Sequence, residues 1–464
     1  MHVEISDPKL RDAADTLCKA VQRAGGRALL VGGSVRDAFL GKDAKDLDFE
    51  VYQLSPEGLK AALGEHFEID LVGESFGVLK IHHLPIDVAL PRRESKRGLG
   101  HKGFEVHSDP SMSLAEAAAR RDFTINAISW DPLTQEVIDP ADGVKDLNNR
   151  LLRHVSDKFS EDPLRVLRAM QFAARFSFYI ADDTVALCRT IEPEGLSRER
   201  LWEEWKKLVL RGVKISRGLD FLRDCGWVQY YPELEALIDC PQDPQWHPEG
   251  DVWVHTLHVM DAFAEERLDD ETEDLTVGFG CLCHDFGKPA TTTHDPDGRI
   301  RSKFHEEEGA EPTRLFLERL TNQENLIRDV VALVVDHLKP FMFYRDKSKA
   351  SAIRRLASRV GRIDRLVRVA RADHKGRPPL VFDGFPAGEW LLKKASEMDI
   401  VDDAPQPIVL GRHLIELGLK PGKHFGKLLN TCFEAQLDGR FADEEGGREF
   451  VRGVVEEWRA DESR

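Results

Sequence analysis

A short apolar run, Leu29-Leu30-Val31, ends at Gly32-Gly33 and gives way to Ser34-Val35-Arg36-Asp37. This order predicts a strand, a glycine turn and a helix start, with Ser34 and Asp37 at capping-box spacing. The stretch Lys45-Asp46-Leu47-Asp48-Phe49-Glu50-Val51 alternates polar and apolar side chains. Residues two apart on a strand share a face, so Asp46 and Asp48 project together while Leu47 and Phe49 enter a core. Residues 78–83 and 86–90 read as two further strands joined by a tight hairpin through Leu84-Pro85. Asp87, between Ile86 and Val88, would bring a third carboxylate towards the first two. From about Asp157 the strand signals fade and apolar residues recur at helical spacing. Proline-rich breaks fall near Pro232, Pro241–Pro248 and Pro378–Pro386. The pattern predicts an α+β chain: a head of mixed sheet and helices over 1–150, then helical regions over 151–240, 241–380 and 381–464. The stretch from Glu444 is expected to end in a frayed helix.

Composition narrows the setting. The 464 residues suffice for two to four domains with ample core. A balance of 41% hydrophobic to 32% charged residues is ordinary for a soluble chain, and no apolar run approaches a membrane span. The start, Met1-His2-Val3-Glu4, lacks the form of a signal peptide. Seven scattered cysteines without a C-x-x-C pair fit a reducing cytoplasm. The net charge of −17 argues against broad coating of nucleic acid. A confined basic strip remains compatible with it.

Three groups of residues carry chemistry. Asp46 and Asp48 are adjacent carboxylates that repel unless a cation lies between them. Mg²⁺ favours such oxygens together with substrate phosphates, and the preceding glycines allow close backbone approach. Read alone, the D-x-D also fits a polar strand end. Next, Arg120-Arg121-Asp122-Phe123-Thr124-Ile125-Asn126 joins two cations to groups suited to a ribose, or forms a polar helix face. Asp162-Pro163-Leu164-Arg165 opens a helix with Ser160 or Asp162 as cap, and Arg165 and Arg168 follow on nearly the same side. Aspartate accepts from an exocyclic amine and arginine donates to ring acceptors, which together match cytosine or adenine. A surface ion pair is the plainer reading. The stretch from Arg92 to Gly103, with Arg92, Arg93, Lys96, Arg97 and Lys102, is expected to be a cationic loop able to meet RNA phosphates.

The third group is His255, His284-Asp285, His305, His337 and Asp373, six potential ligands for one or two metals. Nitrogen and oxygen donors do not choose between Ni²⁺, Mn²⁺, Co²⁺ and Mg²⁺.

The segments LLVGGSVRDAFL, DLDFEV, IDVA, RRDFTINA, IDPADGVKDL and EDPLRVLRAMQFAARF resemble, in order and spacing, the class II tRNA nucleotidyltransferases, that is CCA-adding enzymes and bacterial poly(A) polymerases. The resemblance covers roughly residues 25–240. It implies a polymerase-β-like head, catalytic Asp46 and Asp48, and nucleotide binding by Gly32, Gly33, Arg36, Arg121, Asp122 and Asn126. It also implies base selection by Asp162 and Arg165, oriented by Glu161, with Arg168 beside them. The acidic residue usual just before R-R-D is replaced by Glu116-Ala117-Ala118-Ala119. The H-D-F-G-K stretch resembles the HD phosphohydrolases, which implies phosphatase or 2′,3′-cyclic phosphodiesterase activity. Residues 408–422 resemble the family tail, which would meet the tRNA elbow. The expected partners are tRNA, CTP and ATP, with no membrane, and the expected product is a complete CCA end. A poly(A) polymerase or partial CC- or A-adder is the nearest alternative. Others are a phosphohydrolase whose head only holds RNA, and a non-catalytic RNA-binding protein. Oligomeric state is not legible.

Overall fold

The computed structural model describes residues 3–70, 78–96 and 104–462. Arg97 and Lys102 lie outside the described residues. The chain divides into two compact units, Met1–Val228 and Gln229–Arg464.

The first unit opens with α1 (Pro8–Arg23), whose first amides are capped by the Asp7 carboxylate. There follow β1 (Arg27–Val31), α2 (Gly33–Phe39), β2 (Leu47–Tyr52) and α3 (Pro56–Gly64). The chain continues through β3 (Ile69–Asp70), β4 (Val78–Ile81), β5 (Ile86–Ala89), β6 (Arg92–Lys96) and β7 (Phe104–Ser108). It then forms α4 (Leu114–Ala118), β8 (Ser129–Trp130), β9 (Val137–Ile138) and α5 (Gly143–Asn148). Seven strands make one sheet in the order β3-β4-β5-β2-β1-β8-β9. β2 runs antiparallel to β1 and parallel to β5. Leu47, Phe49 and Val51 are buried while Asp48 and Glu50 alternate towards the open face, so the period-two pattern holds. β4 and β5 pair as the expected hairpin.

Helices α6 (Leu164–Phe176), α7 (Asp182–Cys188), α8 (Arg198–Arg211) and α9 (Ile215–Asp224) follow. α6 buries Val166, Leu167, Met170 and Phe172 against its neighbours, as its apolar spacing requires.

Three local expectations need correction. Part of the expected cationic loop is strand: β6 pairs antiparallel with β7 from Arg92↔Ser108 to Lys96↔Phe104. Its five polar residues carry no apolar alternation, so backbone pairing left no mark in the pattern. Ser34 does not cap α2; the cap position is Gly32, and the Ser34 hydroxyl donates to the Val31 carbonyl at 3.1 Å. The helix begins two residues ahead of the capping-box register. Strand also persists beyond Asp157, since Tyr179–Ile180 pairs with Leu151–Leu152, and Thr292–His294 pairs with Ile300–Ser302.

The second unit is built from helices. They are α10 (Pro232–Glu235), α11 (Val252–Ala264), α12 (Glu271–Cys283), α13 (Lys288–Thr291), α14 (His305–Glu308) and α15 (Ala310–Leu320). Then come α16 (Glu324–Asp336), α17 (Lys339–Asp346), α18 (Ala350–Val360), α19 (Ile363–Lys375) and α20 (Pro386–Ser396). Last are α21 (Gly411–Glu416), α22 (His424–Leu437) and α23 (Glu444–Glu462), which share a small core of Leu414, Leu428, Cys432, Val451 and Val455. All seven cysteines are buried free thiols. No described helix is long and apolar enough to cross a membrane.

Candidate active sites

The open face of the head gathers acidic groups. Asp48 on β2 and Asp87 on β5 are register partners on adjacent parallel strands. Lys80 on β4 donates to both Asp87 oxygens at 3.0 and 2.9 Å. Asp46 stands at the bend just before β2 rather than on the strand. Partial desolvation, then the charges of Asp87 and Asp46, push the Asp48 carboxyl above its ordinary value. A concave acidic cluster of this kind fits a hard divalent cation bound through oxygen.

Asp48, Glu50, Asp87, Arg92, Arg120 and Arg121 line a cavity of about 370 Å³. Gly32 has a φ of +71°, a conformation suited to glycine. A Cβ there would lie 3.5 Å from Arg121 Nη1 and 3.9 Å from Asp48 Oδ2, so the turn leaves the approach to the carboxylate open. Arg121 also pairs with Glu50 at 3.5 Å.

Arg36, Asp122, Asn126 and Arg168 form a mostly buried chain beside this cavity. Arg36 Nη1 donates to Asn126 Oδ1 at 2.6 Å, and Asn126 Nδ2 donates to Asp122 Oδ1 at 2.8 Å. Arg168 donates to Asp122 Oδ2 through Nε at 2.9 Å and Nη2 at 2.6 Å. Burial opposes the Asp122 charge, but Arg168 and Asn126 hold its carboxyl below the ordinary value. Arg36 also lies over the rings of Phe172 and Phe176. The chain therefore ties the glycine turn to α6. Asp122 and Asn126 do not sit on the α-helical face that the plainer reading allowed, because Thr124–Asn126 is a 3-10 turn. Gly143 supports that turn: a Cβ there would fall 2.1 Å from the Thr124 carbonyl oxygen. Asp139 accepts from the Gly143 and Val144 amides, which explains the IDPADGV sequence.

Asp162 and Arg165 stand at the start of α6 but engage different partners. Arg200 on α8 donates to both Asp162 oxygens at 3.0 and 2.8 Å, and Asp162 also accepts from the Leu164 amide. Arg165 donates to the carbonyls of Lys158 at 2.7 Å and Arg120 at 2.9 Å. The expected bracing of Arg165 by Glu161 is replaced by these carbonyls, and Glu161 is exposed. Pro163 takes the cap position of α6 and has no capping side chain; Asp162, one residue earlier, accepts from the first helix amide instead.

In the second unit, the six expected ligands converge and all are buried. His255, His284 and Asp373 place one ligand atom each within 4.8 Å of one another, and so do Asp285, His305 and His337. The Nδ1 atoms of His284, His305 and His337 each lie 2.7 Å from a backbone carbonyl, of Cys281, Ser302 and Val334 respectively. A carbonyl only accepts, so each Nδ1 carries the proton and each Nε2 lone pair is turned inwards. His284 Nε2 is 3.3 Å from His255 Nε2, and His305 Nε2 is 3.4 Å from His337 Nε2. Both Asp285 oxygens are buried with no well-formed hydrogen bond, and the Lys288 ammonium lies 2.7 Å from Oδ2. Facing lone pairs and a buried carboxylate fit one or two divalent cations. Burial opposes the charge on Asp285 and Asp373, but His284 and Lys288, and Arg377 and His255, hold the two carboxyls well below their ordinary values. Burial and the nearby His305 push the His337 imidazole down to about 3. Gly287 permits the packing: a Cβ there would fall 2.0 Å from the His305 carbonyl oxygen.

Sequence reasoning assigned no role to four side chains at this site. Glu249 Oε1 lies 2.8 Å from Nδ1 of both His255 and His247. Lys288 Nζ lies 2.7 Å from Asp285 Oδ2, and Arg377 Nη2 donates to Asp373 Oδ1 at 2.5 Å. The signal was the H-P-E spacing ahead of V-W-V-H, hidden inside a proline-rich break.

The family model for the poly A polymerase head domain matches residues 28–153, and that for the HD domain matches residues 252–369. The proteins called multifunctional CCA protein from two strains of Xanthomonas campestris pv. campestris, B100 and ATCC 33913, are each 39% identical over 376 residues. The match spans 78% of this chain and 88% of each relative. Among solved structures, the Bacillus stearothermophilus CCA-adding enzyme in complex with CTP aligns with a TM-score of 0.65 at 21% identity. That alignment covers 99% of this chain and 100% of the other. The Thermotoga maritima CCA-adding enzyme complexed with tRNA aligns at 0.57 with 19% identity, over 98% and 99% of the two chains. The head and its acidic site define a nucleotidyltransferase that carries an HD domain. The chain belongs to the CCA-adding tRNA nucleotidyltransferases, in the family of the multifunctional CCA proteins.

Proposed function

We propose that this chain adds C, C and A in turn to the 3′ end of tRNA, using CTP and ATP and no nucleic-acid template. The observation that carries the reading is the Asp48–Asp87 register pair, with Asp46 nearby and the Gly32 turn open above it. Mg²⁺ held by Asp46 and Asp48, with Asp87 alongside, would neutralise the triphosphate and activate the tRNA 3′-hydroxyl. Arg121, with Arg120, faces the cavity where a triphosphate would lie. The 3′-oxygen attacks the α-phosphorus, the bond to pyrophosphate breaks, and the hydroxyl proton passes to solvent. The helix start selects the base. Asp162 accepts from the exocyclic amine of C or A, and Arg165 donates to a ring acceptor. UTP lacks the amine, and GTP presents its donors in reverse. By analogy with base readout in grooves, each good contact contributes about 1–3 kcal/mol of discrimination. Both side chains are engaged without nucleotide, so base reading exchanges the Arg200 and carbonyl contacts for contacts to the base. β6 offers Arg92 from the cationic segment to RNA phosphates.

The buried histidine cluster supports a second activity, hydrolysis of phosphate esters such as a 2′,3′-cyclic phosphate. Water attacks phosphorus, a bond from phosphorus to a ribose oxygen breaks, and that oxygen takes up a proton. Two variants separate the sites. Asp48→Ala is expected to abolish tRNA extension and spare hydrolysis, and His284→Ala to do the reverse. Loss of both activities in either variant would refute two independent sites.

A further inference from the structure

A cavity of about 260 Å³ opens beside the histidine cluster. Lys288 and Arg377 both line it, each spent on a carboxylate of the cluster. Lys288 also donates to Gln242 Oε1 at 2.7 Å, whereas Arg377 Nε is buried with no acceptor. A cation taken up by the cluster would compete for Asp285 and Asp373, and so free both side chains to meet an anion. Trp246 lines the same cavity yet is 62% exposed. A lone exposed aromatic residue is unremarkable in itself; one at the mouth of a cavity with two cations inside is a different case. The volume falls short of the roughly 300–1,000 Å³ of sites that enclose a whole small molecule. A phosphate and its sugar fit within it, and the rest of a ligand must extend across the rim.

We propose that Trp246 is a stacking platform for the base of a nucleoside phosphate whose phosphate is held by Lys288 and Arg377. Its catalytic meaning rests on the phosphohydrolase reading; its binding meaning does not. The site then prefers nucleotides to base-free phosphate esters. The nucleoside phosphate is either a mononucleotide or the terminal residue of an RNA.

The test compares the full-length wild type with Trp246→Ala and Trp246→Phe. Titration calorimetry with adenosine 3′-phosphate should show binding weakened about tenfold in Trp246→Ala, the order expected for one lost base–aromatic stack, and largely restored in Trp246→Phe. The ratio of kcat/KM for adenosine 2′,3′-cyclic phosphate to that for glycerol 2-phosphate should fall about tenfold in Trp246→Ala. A short oligoribonucleotide ending in a 2′,3′-cyclic phosphate distinguishes the sources. An effect on it alone assigns the platform to RNA ends, and an effect on both shows that one nucleotide suffices. Equal losses with both small substrates, or binding and hydrolysis of mononucleotide and oligoribonucleotide alike unchanged in Trp246→Ala, overturn the proposal. If the wild type hydrolyses none of these substrates, the phosphohydrolase reading fails, and calorimetry still decides whether Trp246 holds a base.

Discussion

Asp48 and Asp87 are paired across two adjacent parallel strands, and only Asp87 is braced by a lysine. At Asp48, desolvation by the cavity and the repulsion of Asp87 and Asp46 outweigh the nearby charges of Arg121 and Lys80. Asp48→Asn should therefore cost little stability, within about 0.5 kcal/mol as for other surface changes. It should lower the rate of nucleotide addition by about 10³-fold, the loss of several kcal/mol of charge stabilisation. Single-turnover extension and thermal melting of the same variant check the two halves.

Asp122 is expected to behave in the opposite way. Breaking a buried pair by removing one partner costs about 3–5 kcal/mol, so Asp122→Ala should lower the melting temperature markedly. The sign of its pH dependence follows from the direction of its shift. A carboxyl whose folded pKa is depressed adds stability above its unfolded value, near ~3.9 for aspartate, and loses it as pH falls through the folded value. Denaturant titrations between neutral and strongly acidic pH should show a steeper acid loss in the wild type than in Asp122→Asn.

Gly287→Ala tests the second site without removing any ligand. The added methyl group must displace the His305 carbonyl or the Gly309 amide. Calorimetric Mn²⁺ affinity and cyclic-phosphate hydrolysis should fall about 10-fold or more, as for changes to groups that support metal ligands. Extension of tRNA should persist.

On the proposed function, a chain of net charge −17 meets tRNA through a local basic strip. Affinity should fall with salt on a log–log plot, with a slope of roughly −0.7 to −0.9 for each phosphate neutralised. Filter binding at several salt concentrations measures it, and a flat plot would contradict electrostatic docking.

Much of the head was legible because its signals are local. The alternation around Asp48 and the Ile86–Val88 run fixed β2 and β5 from neighbours in sequence, and the glycine pair marked the turn. The histidines that converge in the second unit were legible by type and number. Pairings between distant residues were not. Arg200 reaches Asp162 from 38 positions away, and nothing at either position announces it. Arg165 gives its guanidinium to backbone carbonyls, which every residue possesses, so no side-chain pattern encodes the choice. β6 escaped notice because its residues are polar on both faces. Glu249 and His247 lie in a loop, where periodicity carries no information.

The most direct measurement is extension of a tRNA that lacks its CCA end, with products resolved to single nucleotides. With CTP alone the product should grow by two residues, with ATP alone by none, and with both by three. Asp48→Ala should give no extension under any condition. A long A tract, a stop at CC with both nucleotides present, or full extension by Asp48→Ala would contradict the account.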